Sequence, residues 1–204
     1  MRFQELENKL QNHPIFTVQD IRKVAPDFYR PRLSEWQEKG YIKKLRRGYY
    51  MFADIRLTEE RLFLIANRLY APSYVSLEMA LSWYGLIPES VYTVTSVTSK
   101  KTKSFATPIA HFSYRSVKPE LLFGYHLHSY GEQKYKLAEV EKAVLDYLYL
   151  QPKMSDREAF AGLRFNRARF QEQADRDKLF TYAKQFANQR LHQRLDVLLD
   201  YLDS

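Results

Sequence analysis

Residues 40–52 read GYIKKLRRGYYMF. Two apolar and aromatic runs flank four cations, Lys43, Lys44, Arg46 and Arg47, and Gly48 follows them. Tyr41–Leu45 and Tyr49–Phe52, joined by Arg46-Arg47-Gly48, have the spacing of a short β-hairpin. Side chains alternate along a strand, so Tyr41, Lys43 and Leu45 share one face while Ile42 and Lys44 share the other. Ile42 and Leu45 thus fall on opposite faces, and the ribbon cannot bury a single clean side. At the tip, Arg46 and Arg47 are expected to project two guanidiniums beyond the body.

The stretch before the hairpin gives it a setting. Phe3, Leu6 and Leu10 recur at helical spacing, and that helix should end near Asn12-His13-Pro14. Thr17 and Asp20 form an N-cap arrangement for a second helix with Val18, Ile21 and Val24 as its apolar stripe. After the Ala25-Pro26-Asp27 turn, a third helix is predicted from about Phe28 or Pro31 to Lys39. Leu33 and Trp36 point inward, and Gly40 is the stop. Three helices and a hairpin follow the order of a winged helix-turn-helix, here assigned to residues 1–55.

Residues 56–204 read as a mixed α+β domain with a helical tail from about residue 153. Leu57 to Leu69 is amphipathic and capped at Thr58, and a helix from Ser76 to Tyr84 is closed by Gly85. The period then changes to two. VYTVTSVTS (91–99), IAHFSYRSV (109–117), LLFGYHLHSY (121–130) and KYKLA (134–138) read as strands, with SKKTKS (99–104) an exposed basic link. LAEVEKAVLDYLYL (137–150) is again helical. LHQRLDVLLDYL (191–202) is amphipathic, and its stripe of Leu191, Leu195, Leu198, Leu199 and Leu202 suits either a core face or the seam of a homodimer.

Composition narrows the function classes. The 204 residues carry 32 Lys+Arg against 24 Asp+Glu, a net charge of +8 that favours polyanionic partners. Residues 1–56 hold 12 of the basic and 7 of the acidic residues, so more than half of the excess sits in the first quarter of the chain. With no cysteine, disulfides and thiolate metal ligation are excluded. No apolar run approaches the roughly 18 residues of a membrane span. The start, MRFQELENKLQNH, is unlike a signal peptide, so a cytoplasmic protein with no membrane partner is expected.

In a helix-turn-helix the start of the second helix of the pair enters the major groove. Tyr29, Arg30, Arg32 and Ser34 occupy that place and are the candidate base readers; Glu35 and Glu38 must be kept away from phosphate. Lys43, Lys44, Arg46 and Arg47 are the candidate backbone contacts, because such cations release condensed counterions from double-stranded DNA. His126 and His128, with His111 if it lies on a neighbouring strand, lack a carboxylate at a telling spacing. No metal or cofactor is expected. Glu139, Glu141, Lys142 and Asp146 support an alternative reading, a nucleic-acid- or nucleotide-processing enzyme. Their i,i+3 and i,i+4 spacings, however, are those of ordinary surface pairs on a helix. There is no glycine-rich phosphate loop or nucleophile elbow, so no catalytic residue is assigned.

RRGYYMF, PSYVSLEMALSWYGLIPESVYTVTSVTSKKTKSF and AEVEKAVLDYLYL resemble the AbiEi family of antitoxin-type transcriptional regulators, over about residues 15–150. The resemblance implies an N-terminal winged helix that represses its own operon at inverted repeats in the promoter. It implies a C-terminal domain that acts as the antitoxin of a toxin–antitoxin pair, the partner gene encoding a nucleotidyltransferase-like toxin. Lys43, Lys44, Arg46, Arg47 and Gly48 carry over as wing positions. SLEMALSWYGL carries over as a structural signature through Leu77, Ala80, Leu81 and Tyr84.

Overall fold

Both faces of the hairpin are covered, each by a different core. In the computed structural model, which describes residues 1–88 and 92–204, β1 (Ile42–Arg46) and β2 (Tyr49–Phe52) pair antiparallel. Ile42 lies opposite Phe52 and Lys44 opposite Tyr50, and the register slips between Lys44 and Arg46. Ile42, Tyr50 and Phe52 pack with Leu6, Phe16, Ile21, Leu33 and Trp36 in one cluster. Leu45 and Met51 belong to the second, larger cluster built by the rest of the chain. Alternation had placed Ile42 and Leu45 on opposite sides; the fold satisfies both by burying both.

The helices that cover the first face are α1 (Phe3–Leu10), α2 (Val18–Val24) and α3 (Arg32–Glu38). The Thr17 hydroxyl accepts from the Asp20 amide at 3.2 Å, and the Asp20 carboxylate accepts from the Thr17 amide at 2.9 Å. This reciprocal box satisfies the free amide groups that open α2. Phe16 exchanges two backbone hydrogen bonds with Tyr50, which ties the entry to α2 onto the hairpin.

Beyond residue 56 the architecture is α+β. A six-stranded mixed sheet contains β3 (Ser73–Val75), β4 (Thr93–Thr98), β5 (Lys103–Ala106), β6 (His111–Ser116), β7 (Tyr125–Tyr130) and β8 (Gln133–Ala138) in the order β5-β6-β4-β3-β8-β7. α4 (Glu59–Leu69), capped by the Thr58 hydroxyl, covers one face, where Tyr114 donates to the Ala66 carbonyl at 2.7 Å. α5 (Leu77–Trp83) and α6 (Val140–Leu150) cover the other, where Tyr74 donates to Asp146 at 2.8 Å. α7 (Arg157–Gly162), α8 (Arg167–Gln173), α9 (Arg176–Gln185) and α10 (Gln189–Asp203) complete the chain, with α9 and α10 packed on α6. No helix among the described residues is long and apolar enough to cross a membrane.

Several expectations change here. β3 and β5 are strands that periodicity missed: three residues buried on both faces show no alternation, and β5 begins inside the polar SKKTKS link. Val91, the head of the expected first strand, lies outside the described residues. The strand expected over residues 121–130 is confined to Tyr125–Tyr130, because Pro119–Leu121 forms a 3-10 turn and Gly124 turns the chain at φ +68°. The leucine stripe of α10 is buried in the chain's own core, so of the two readings left open it serves as a core face.

Candidate nucleic-acid interface

Pro31 stands at the N-cap of α3 with helical backbone angles, and the preceding Tyr29 and Arg30 are exposed. Because Leu33 and Trp36 turn inward, the outer surface of this short helix divides into two flanks. On one, Arg30 and Ser34 line an open groove of about 410 Å³ together with Gln37 and, across from them, Lys44 and Tyr50 of the hairpin. On the other, Tyr29 and Arg32 border a recess with Met1 and Phe28, and the Arg32 guanidinium donates to the Met1 carbonyl. The eight candidates are therefore not one cluster. Arg30, Ser34 and Lys44 share a groove, while Tyr29 and Arg32 face away from it.

The acidic residues of α3 are partly dealt with. Glu35 pairs with Lys39 at 2.6 Å, and that hydrogen bond holds its carboxyl below the usual glutamate range. Glu38 is exposed one turn beyond Ser34.

On the hairpin the cations diverge. Lys44 and Arg47 are exposed, and Lys43 donates to the Ala53 carbonyl at 3.2 Å. Arg46 does not project from the tip, contrary to the expectation from its place at the turn. Its guanidinium lies 4.1 Å from the Tyr49 ring centroid and 4.9 Å from that of Phe105 on β5. The register slip after Lys44 turns Arg46 toward the larger core, and its Nε is buried without a hydrogen-bond partner. A cation facing an aromatic ring is held by the ring quadrupole, so this contact fastens the hairpin to the sheet.

That contact brings in the cations of the basic 99–104 link, which the sequence did not place beside the hairpin. Lys103 Nζ lies 5.5 Å from the same Phe105 ring, and Lys100 Nζ lies 5.4 Å from Tyr70, which meets Phe105 edge-on. The Tyr70 hydroxyl donates to the Lys101 carbonyl at 3.1 Å. Among the described residues no ion pair involves Lys43, Lys44, Arg46, Arg47, Lys100, Lys101 or Lys103. The basic character of SKKTKS was visible in the sequence, but its place beside the hairpin needed the fold. Unpaired exposed cations on two neighbouring elements form the kind of field that draws a polyanion.

The second candidate cluster is not on the surface at all. α6 is buried around its circumference through Leu148, and Lys142 and Asp146 have 0% exposure. The surface-pair reading is therefore corrected. Lys142 and Asp146 form a sealed ion pair in which Asp146 also accepts from Tyr74 at 2.8 Å and Ser76 at 2.9 Å, and Lys142 donates to the Tyr74 hydroxyl at 2.8 Å. Burial pushes Asp146 up and Lys142 down, each opposed by the other's charge. Phe123, Phe186 and Tyr74 surround the ammonium at 4.9, 4.8 and 5.4 Å. No macromolecular substrate can reach these two groups; every polar atom points at a protein partner, as a satisfied buried network requires.

Glu139 and Glu141 lie at the edge of that cluster. Lys178 reaches Glu139 at 2.6 Å and Glu141 at 3.5 Å, Tyr182 donates to Glu139 at 2.8 Å, and His126 Nε2 approaches Glu139 at 3.1 Å. Periodicity could not separate these charges from surface ones, because their partners come from α9, far along the chain. His111 on β6 is separated by three intervening strands from His126 and His128 on β7, so the three histidines are not neighbours. No group of acidic and histidine residues that could hold a metal ion occurs among the described residues. No protein-family model matches the sequence, and no curated protein matches it.

Proposed function

We propose that this chain is a duplex-DNA-binding transcriptional repressor of the AbiEi kind, acting as the antitoxin of a toxin–antitoxin operon. The observation that carries the reading is the open groove between α3 and the hairpin, lined by Arg30, Ser34 and Lys44, with Arg47 exposed at the hairpin turn. In this reading residues 1–55 are a winged helix-turn-helix whose wing is β1–β2. Lys44 and Arg47 hold the phosphate backbone, Arg30 and Ser34 read base edges, and Lys100, Lys101 and Lys103 extend the basic surface along the duplex. Arginine is bidentate to guanine in the major groove, which makes Arg30 the first choice for sequence discrimination. Inverted repeats in the promoter would be met by two copies of the chain. The antitoxin part of the reading assigns residues 56–204 to neutralising a nucleotidyltransferase-like toxin in the cytoplasm.

The test is a binding titration against the region upstream of the chain's own gene and against random duplex, over a series of salt concentrations. The expected result is tighter binding to the upstream region, with affinity falling steeply as salt rises. Equal affinity for both duplexes would overturn the repressor, and a flat salt response would overturn backbone contact. Co-expression with the product of the neighbouring reading frame tests the antitoxin half: relief of growth arrest is expected, and persistent arrest refutes it.

A further inference from the structure

A second cavity lies where the α1–α2 turn meets the β7–β8 turn. It has a volume of about 310 Å³, and His13, Pro14, Arg61, Leu64, Tyr130 and Glu132 contribute to its lining. The two turns touch through one side-chain hydrogen bond, from Asn12 to Glu132 at 3.3 Å. Clefts of this size between packed units are common sites for small ligands.

Its polar groups are unevenly satisfied. Arg61 is half-buried, donates to the Arg56 carbonyl at 3.1 Å and lies 5.5 Å from the Tyr130 ring centroid, yet has no carboxylate partner among the described residues. His13 Nδ1 is buried with no hydrogen-bond partner. Glu132, the one acid of the cleft, is at the exposed rim and already accepts from Asn12. A guanidinium with free donors binds a carboxylate through two parallel hydrogen bonds. Pro14, Leu64 and the Tyr130 ring offer apolar contact to a flat body attached to that carboxylate.

The cleft is also close to the hairpin along the chain. Pro14 leads to Ile15, buried in the larger core, and then to Phe16, buried in the smaller one. Phe16 exchanges hydrogen bonds of 2.8 and 2.9 Å with Tyr50, which lines the groove with Arg30 and Lys44.

We infer that this cleft binds a small planar organic carboxylate, and that its occupancy is transmitted to the hairpin through Phe16 and Tyr50. The regulatory meaning rests on the nucleic-acid reading above; the site itself does not. The full chain, free of nucleic acid, is followed by amide-resolved NMR while benzoate is added, with benzylamine as a cation of similar size at matched ionic strength. Benzoate is expected to give saturable shifts at His13, Arg61 and Gly131 and also at Phe16 and Tyr50. Arg61→Gln should weaken it roughly tenfold or more, the scale of a lost charged hydrogen-bonding partner. Absence of saturable shifts, equal binding of benzylamine, or unchanged affinity in Arg61→Gln overturns the site. Shifts at the cleft with Phe16 and Tyr50 unmoved overturn the transmission. Should Arg61→Gln fail to fold, the comparison of benzoate with benzylamine on the unaltered chain still decides the charge preference.

Discussion

Arg46 of the hairpin and Phe105 of the edge strand β5 are held together, guanidinium to ring centroid, at 4.9 Å. A residue that reads as a free charge at a tip is thus an attachment point, and its neighbour Arg47 is the exposed one. Arg46→Ala should cost about 1–2 kcal/mol of stability in denaturant unfolding, the range for a partly desolvated cation on an aromatic face. Arg47→Ala should stay within about 0.5 kcal/mol, as surface substitutions usually do. Equal costs for the two would remove the attachment role.

Nucleic-acid affinity should divide the same residues differently. Replacing Lys44 and Arg47 by Ala is expected to lower the slope of log affinity against log salt by roughly 0.9 per lost phosphate contact, on every duplex alike. Arg30→Ala should instead narrow the gap between specific and random duplex, by about 1–3 kcal/mol if it reads a base. An unchanged salt slope in the Lys44/Arg47 variant takes the hairpin off the contact surface.

Much of the fold was legible because local signals agreed with it. Thr17 with Asp20, Thr58 before α4, and the glycines after α3 and α5 stand where the chain starts and stops its helices. What was not legible depended on distant partners. Lys142 and Asp146 look like any i,i+4 pair, and only Tyr74, Ser76 and the rings of Phe123 and Phe186 make them interior groups. Arg46 was misjudged for the same reason: Phe105 sits on a strand that hides in a polar stretch. For the candidate site, residue types pointed to the hairpin. Only the fold separated Arg30, Ser34 and Lys44, which share a groove, from Arg32, which is tied to Met1.

The sealed pair on α6 should show strong coupling. Lys142→Met leaves Asp146 buried without its cation and is expected to cost about 3–5 kcal/mol. Lys142→Met combined with Asp146→Asn keeps an acceptor for Tyr74 and Ser76 and removes the orphaned charge. The double variant should therefore be less destabilised than the sum of the single ones, measured by denaturant midpoints around the full cycle. Additive costs would show that the two groups do not act as a pair.

Gly124 should not accept a side chain. Its φ is +68°, and a Cβ there would meet Tyr182 at 2.9 Å and the Lys142 side chain at 3.0 Å. Gly131, at φ +58°, has nothing within 4 Å of the same position. Gly131→Ala is expected to cost only the left-handed backbone penalty, about 1–2 kcal/mol. Gly124→Ala adds overpacking of roughly 1–3 kcal/mol on top of it. Thermal or denaturant unfolding of the two variants measures the difference, and equal losses would mean that Tyr182 and Lys142 yield freely.

Acid should act on the cluster around Glu139. Burial pushes this carboxyl up, but its hydrogen bonds to Lys178 and Tyr182, together with the charge of Lys178 and, when protonated, of His126, bring it below the ordinary glutamate value. A group whose folded pKa lies below its unfolded one contributes stability at pH above the unfolded value, about 4.3 for glutamate. That contribution is lost as pH falls through the folded value, because protonation then removes the partner of Lys178. Denaturant midpoints measured from pH 7 down to pH 3 should fall through this window. Glu139→Gln should begin lower at pH 7, since the amide cannot pair with the ammonium, and should fall less over the same range. A variant whose midpoint declines in parallel with the unaltered chain would place the acid sensitivity elsewhere, with Asp20 next in line, since Thr17 and Lys23 hold its carboxyl low against the push of its own burial.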